Sequence, residues 1–282
     1  MRFIRVFLLL AFTQLLALDI TLAPYMTKAN YKDASKDSSS TKGFYTKFKA
    51  PEYSIELNYE TTALDYNATT SQLQQDDYVI SYSQKISNNY NLKALYHKIS
   101  TSGEEDFSAN IYLLDLQFYK KSRFNAGTSF AYSSYGSDAL AKSVYQVKAY
   151  VGTYFGDYKS TMGAFLIKTD ATIIYPNGGD SNSTLDTHYT SIGLTIKQYK
   201  GDFINTISSW MGEKLYSVED NGFTIYNLNE LHSSGFYLSS RYAITRNMGV
   251  QLSYTSESFE DLDININDSM QKYLLSFDYT IR

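Results

Sequence analysis

A two-residue period of apolar side chains runs through most of the chain. From Tyr273 to Arg282, Tyr273, Leu275, Phe277, Tyr279 and Ile281 alternate with Ser276, Asp278, Thr280 and Arg282. Successive side chains of a strand point to opposite faces, so such a segment has one apolar and one polar surface. In the same way Tyr53, Ile55, Leu57 and Tyr59 alternate with Glu52, Ser54, Glu56, Asn58 and Glu60, and Tyr78, Ile80 and Tyr82 with Ser81 and Ser83. Tyr112, Leu114, Leu116 and Phe118 alternate with Asp115 and Gln117; Tyr145, Val147, Ala149 and Val151 with Gln146 and Lys148. Phe236, Leu238, Tyr242 and Ile244 alternate with Ser239 and Arg241, and Val250, Leu252 and Tyr254 with Gln251 and Ser253. Segments 123–133, 158–169 and 202–212 read as strands without a clear inner face.

The connectors alternate as well. Short turns are predicted at Ala50-Pro51, Ser87-Asn88-Asn89, Lys120-Lys121-Ser122, Gly156-Asp157, Lys200-Gly201 and Arg246-Asn247. Between them lie long polar stretches at 63–76, 101–106, 134–142, 170–186, 213–232 and 258–270. Short turns at one end and long loops at the other, with strands of membrane-crossing length, predict an all-β, transmembrane antiparallel up-and-down β-barrel. Counting back from the C-terminus to residue 42 gives 13 strands. Single-chain bacterial barrels have even numbers, so Asp19–Tyr31 is expected to supply the fourteenth; twelve is the alternative. Pro24 would leave a ladder hydrogen bond unmade there, and a bulge is the expected accommodation.

At the N-terminus Arg2 and Arg5 precede an apolar run from Val6 to Ala17, broken only by Thr13 and Gln14. That is the layout of a cleaved signal peptide and is too short for a spanning helix. The expected organisation is therefore a signal peptide over 1–17 and a single barrel over 18–282. Absence of cysteine excludes disulfides and thiolate metal sites. The chain has 25 basic and 29 acidic residues; removing Arg2 and Arg5 leaves 23 against 29, and an acidic chain with no basic cluster is a poor partner for nucleic acid.

Polar faces cannot point at lipid, where a charge near the midplane costs roughly 2–4 kcal/mol, so they line an interior. The predicted pore-lining acids are Glu52, Glu56, Glu60, Asp115, Glu257 and Asp278. The predicted pore-lining bases are Lys47, Lys49, Lys85, Lys93, Lys148, Lys197 and Arg241. Selectivity depends on rings of one sign, and these near-balanced sets predict weak discrimination by charge. Asp76, Asp77, Glu104 to Asp106, Glu219, Asp220, Glu260, Asp261 and Asp263 are expected to crowd the outer rim, where divalent ions could bridge them to lipopolysaccharide. Asp261, Asp263, Asn265 and Asn267 imitate the start of a calcium loop. Ile266 stands at the glycine position and Lys272 at the last ligand, so a strand continuing above the membrane is preferred. No cofactor is expected. His97, His188 and His232 are too dispersed for a metal motif. His232 and Ser234 share the parity of Phe236, which would put both toward lipid as in outer-membrane phospholipases, with Asn229 as a third member; this is a fragment of that pattern.

The strand alternation, the turn-and-loop rhythm and the aromatic last strand resemble the small monomeric fourteen-stranded porins of Gram-negative outer membranes, though this chain closes Tyr-Thr-Ile-Arg where such strands close on an aromatic residue. The resemblance is architectural and carries no functional residue across. It implies an outer-membrane location among lipid and lipopolysaccharide, recognition of the last strand by the barrel-assembly machinery, and a monomer. It also implies passive diffusion of small hydrophilic solutes, gated by a loop such as 213–232 through Tyr216, Phe223 and Tyr226. An occluded structural or adhesin-type barrel is the alternative, and a lipid-modifying enzyme the third.

Overall fold

The computed structural model describes residues 18–32, 36–66, 72–102, 107–120, 123–177 and 185–282. The expected signal peptide lies outside them, as do Glu104 to Asp106. Fourteen antiparallel strands close into one barrel: β1 (Asp19–Tyr31), β2 (Lys36–Lys49), β3 (Tyr53–Tyr66), β4 (Gln72–Lys85), β5 (Tyr90–Ser102), β6 (Ala109–Lys120), β7 (Phe124–Tyr135), β8 (Ser143–Gly156), β9 (Ala164–Asn177), β10 (Tyr189–Lys200), β11 (Phe203–Lys214), β14 (Glu230–Ala243), β15 (Met248–Asp261) and β16 (Ile266–Ile281). Between β11 and β14 the two-residue strands β12 (Val218–Glu219) and β13 (Thr224–Ile225) pair only with each other. Every neighbour in the barrel follows in sequence except at the seam, where β1 pairs with β16, and at the gap spanned by the β12–β13 ribbon.

The seam runs from Ile20↔Ile281 to Tyr31↔Met270. Pro24 needs no bulge: the register is unshifted from Leu22↔Tyr279 to Tyr25↔Ser276, and Pro24 still faces Phe44 of β2. The missing donor costs a gap in the ladder toward β16, where the Ser276 hydroxyl donates to the Pro24 carbonyl at 3.3 Å.

The outer wall is an apolar belt. Leu57, Ile80, Leu114, Val147, Ile192, Ile207, Leu238 and Leu252 are exposed on it. Rows of rings bracket the aliphatic residues. Toward the long-loop end stand Tyr59–Tyr78, Tyr96–Tyr112 and Tyr132–Tyr145, with centroids 5.1, 5.2 and 5.1 Å apart. At the other end stand Tyr53–Tyr82, Tyr90–Phe118 and Phe203–Tyr242. Two aromatic girdles around an apolar band are how a barrel meets the two water interfaces of a bilayer.

The strands are 12 to 16 residues long, more than the ~9–11 a bilayer requires. They therefore absorb much of the polar sequence expected in loops: β3 and β4 leave only 67–71 between them, and β15 and β16 only 262–265. The calcium-like run is split across that hairpin, with Asp261 ending β15 and Asn265 at φ 54° in the turn, so no strand continues through it. At the opposite end, β9 starts at Ala164 and not near 158, because Asp157 folds the chain into a turn, its carboxylate accepting from the Lys159 amide at 3.0 Å and its carbonyl from the Ser160 amide at 2.9 Å.

Candidate functional site

The interior is where polar groups and buried side chains gather. Its upper half is apolar on one wall: Val79, Leu95, Ile99, Ile111, Leu113 and Ala131 are buried and point inward. What covers them is the segment 215–229. Val218 packs into this cluster, with Phe223 and Ile225 against its edge. The ribbon reverses at Asp220-Asn221-Gly222, all at positive φ (46°, 56° and 93°), which asparagine and glycine tolerate best. A Cβ on Gly222 would sit 2.7 Å from the Leu95 side chain.

The ribbon crosses the whole lumen. It leaves the wall between β11 and β14, and its tip docks on β5 and β6, with five strands separating the two places one way around the barrel and seven the other. There His97 Nδ1 lies 2.9 Å from the Gly222 carbonyl while Nε2 lies 2.7 Å from Asp77. Along the way Gln146 of β8 holds the Val218 backbone at both ends of its amide, at 2.7 and 2.9 Å. Phe223 sits under the Lys93 ammonium (4.7 Å) and edge-on to Tyr45 (5.9 Å). On the return, the Tyr226 hydroxyl donates to Glu257 at 2.6 Å, and the Asn227 amide donates to Gln75 at 2.9 Å. Tyr216 is fully buried and bonds to Asn229.

Glu219 is the electrostatic anchor of the ribbon. Its carboxylate accepts from Lys148 at 2.8 Å, Lys214 at 2.7 Å and the Ser217 hydroxyl at 2.8 Å. Burial would raise its pKa, but the two ammonium groups and their hydrogen bonds outweigh that and hold it at about 2. The expected acidic outer rim is accordingly much reduced: Asp77, Glu219 and Asp261 face inward, the last 3.7 Å from Lys36.

The predicted lining residues fall into groups. Glu56 bridges Lys47 (2.9 Å) and Lys93 (3.2 Å). Arg241 grips Asp278 with two bonds of 2.8 and 2.6 Å. Lys148 lies 3.4 Å from Asp170 as well as binding Glu219. Asp115 accepts from Tyr150 (3.2 Å) and Gln117 (2.5 Å), and Glu60 from Tyr25. Glu257 meets Tyr226 and lies 3.3 Å from His232 Nδ1. Lys197 makes no ion pair with any described residue. Lys49, Glu52 and Lys85 stand at the rim of the termini end, with Glu52 exposed in a turn and Lys85 3.6 Å from it. The sequence did not mark Asp77, His97, Lys168, Asp170, Lys214 or Glu219 as lining residues.

His232 and Ser234 do not share a face. A register shift between them turns His232 inward, buried between Glu230 and Glu257, and leaves Ser234 on the outside. Asn229 is engaged with Asp263, Asp138 and Tyr216. Ser234 has no base beside it among the described residues, so His232, Ser234 and Asn229 do not come together as the phospholipase pattern requires.

Below the ribbon the interior opens into two polar cavities on opposite walls. One, of about 430 Å³, is lined by Tyr25, Tyr45, Arg241, Gln251, Asp278 and Thr280. The other, of about 400 Å³, lies against β6 to β9 and reaches Asn221 at the ribbon tip.

A closed fourteen-stranded barrel with an apolar belt outside and a charged, loop-crossed interior defines the outer-membrane barrel class. No family model and no curated protein matches the chain. Solved structures do. A bacterial polysaccharide outer-membrane secretin superposes with a TM-score of 0.59 at 7% identity, over 93% of this chain and 98% of that one. The monoaromatic hydrocarbon channel CymD gives 0.57 at 8%, over 94% and 89%. The Ralstonia pickettii toluene transporter TbuX gives 0.57 at 7%, over 94% and 90%. At these identities the likeness is one of fold.

Proposed function

We propose that this protein is an outer-membrane channel for passive diffusion of small hydrophilic solutes, with residues 215–229 as the gate across its lumen. The observation that carries this reading is the contrast between the two sides of one wall. The outside is aliphatic and ring-bordered, whereas the inside below the ribbon holds two cavities lined mostly by polar side chains, one with the Arg241–Asp278 pair and the other with Lys168. The neighbours named for hydrocarbon and toluene carry an apolar cargo; here the apolar patch of the lumen is covered by the chain's own ribbon. The location in a Gram-negative outer membrane, delivery by the N-terminal signal and a monomeric state belong to the same proposal, as does the absence of catalysis.

A planar bilayer tests it. Refolded protein is expected to give stable conductance steps, and a salt gradient reports ion preference. A ribbon bonded to opposite walls also favours the second reading, an occluded surface barrel. Absence of any conductance from a demonstrably folded, heat-modifiable barrel, before and after deletion of the ribbon, would transfer the assignment to it.

A further inference from the structure

The ion pairs of the lumen do not use up its cations. Glu56 serves two lysines, Arg241 and Asp278 neutralise each other, and Lys148 and Lys214 share Glu219, with Asp170 beside Lys148. Among the remaining inward lysines, Lys168 of β9 and Lys197 of β10 stand side by side, and neither makes an ion pair with a described residue. They are diagonal neighbours on the inner wall, since Thr195 pairs with Lys168 and Lys197 with Leu166. The Lys168 ammonium rests 4.0 Å above the centre of the Tyr150 ring. Lys148 and Lys197 add to the positive field there, and Asp170 and Asp115 oppose it. A lysine held over a ring and half-buried without a carboxylate is a cation waiting for an anion.

The surroundings narrow the ligand further. Lys168 opens on the cavity of about 400 Å³ that Gln117, Tyr119, Asn125, Tyr154 and Asn221 also line. Asn125 Oδ1 is buried there with no donor among the described residues. It fits against β8 because position 152 is glycine, where a Cβ would lie 2.2 Å from that oxygen. A buried acceptor without a donor calls for a hydroxyl or a water. We propose that this cavity is a binding station for a small organic anion that also carries hydroxyl groups. Its carboxylate or phosphate pairs with Lys168 in the field of Lys197, and a hydroxyl donates to Asn125. Because Asn221 closes the cavity from above, a bound anion also touches the tip of the ribbon. The proposal names a solute class for the channel reading, and the site's chemistry does not depend on conduction.

The test separates the two. Folded protein in detergent is titrated calorimetrically with gluconate, with glucose as the neutral twin, acetate as the anion without hydroxyls, and glycerol phosphate as the phosphate counterpart. Gluconate or glycerol phosphate is expected to bind in the millimolar range, about tenfold tighter than glucose or acetate. Lys168→Gln is expected to weaken that binding about tenfold while Lys168→Arg retains it, both variants keeping heat-modifiable migration. Equal affinities for all four probes, or undiminished binding by Lys168→Gln, overturn the station. In bilayers the wild type is expected to prefer anions and gluconate to interrupt the current. Conductance without anion preference and without block counts against the station, while binding without conductance overturns the channel and leaves the station standing.

Discussion

Among single residues, Glu219 decides most about the interior. Two lysines from opposite ends of its neighbourhood, Lys148 on β8 and Lys214 on β11, converge on one carboxylate in the ribbon. Glu219→Gln leaves both ammonium groups short of a counter-charge in a buried setting, and is expected to cost the docked ribbon roughly 3 kcal/mol. The sign of the pH effect follows from its pKa, which lies at about 2 when docked against an ordinary 4.5. Glu219 therefore favours docking above pH 4.5, and that contribution is lost as pH falls through the docked value. The gap between wild type and Glu219→Gln should shrink below pH 4.5 and vanish near 2. The single tryptophan makes this measurable, because Lys214 Nζ lies 4.0 Å over the Trp210 ring. A difference in Trp210 emission that persists unchanged to pH 2 would count against Glu219 as the anchor. At the tip, His97→Ala removes the only side chain described as bonding the Gly222 carbonyl, and chymotrypsin should then cut faster at Phe223.

At the scale of elements, the barrel strands were legible because lipid imposes a simple rule: every second side chain must be apolar. That rule located the strands of the clear alternations and, through parity, the first strand despite Pro24. It failed where the inside is apolar too. Ile111-Tyr112-Leu113-Leu114 has no period, since Ile111 and Leu113 face the ribbon while Tyr112 and Leu114 face outward. Such a two-sided run is itself a signal that something occupies the lumen, and Asp220-Asn221-Gly222 between Val218 and Ile225 is a hairpin turn signal. Together they mark an inserted ribbon. Lys168 and Asp170 escaped because Leu166 and Ile174 share their inward face, again hiding the period. His232 escaped because a bulge reverses parity and no local residue type announces it. The ribbon pairs with no strand of the wall, although its side chains bond to it, and a prediction follows. Deleting residues 217–226 removes no barrel ladder, so the protein should still migrate as a heat-modifiable barrel while its conductance rises severalfold. Loss of heat modifiability would mean that the ribbon is part of the folding core.

For the whole molecule, closure is the condition on which the rest depends. In hydrocarbon each unpaired backbone group costs several kcal/mol, so a sheet with two open edges has no stable place in a bilayer. The seam between β1 and β16 is the sole contact that converts fourteen strands in a row into a barrel, and it already carries one gap at Pro24. Toward the termini its inner surface adds little to hold it: Thr21 and Thr280 share one hydroxyl contact of 3.0 Å there, and Arg241–Asp278 ties β16 to β14, not to β1; the buried packing of Ala29 and Tyr31 with Met270 and Phe259 lies at the loop end. From Ile20 to Lys28 the ladder itself must then carry the seam. Removing residues 273–282 takes away the partners from Ile20 through Lys28 while leaving the outer part from Ala29 to Tyr31 paired. The truncated chain is expected to show no heat-modifiable band and no conductance, in contrast to the ribbon deletion, although it loses the same number of residues. If both deletions were tolerated alike, closure would not depend on this ladder, and the apolar belt alone would have to keep β1 and β16 together in the membrane.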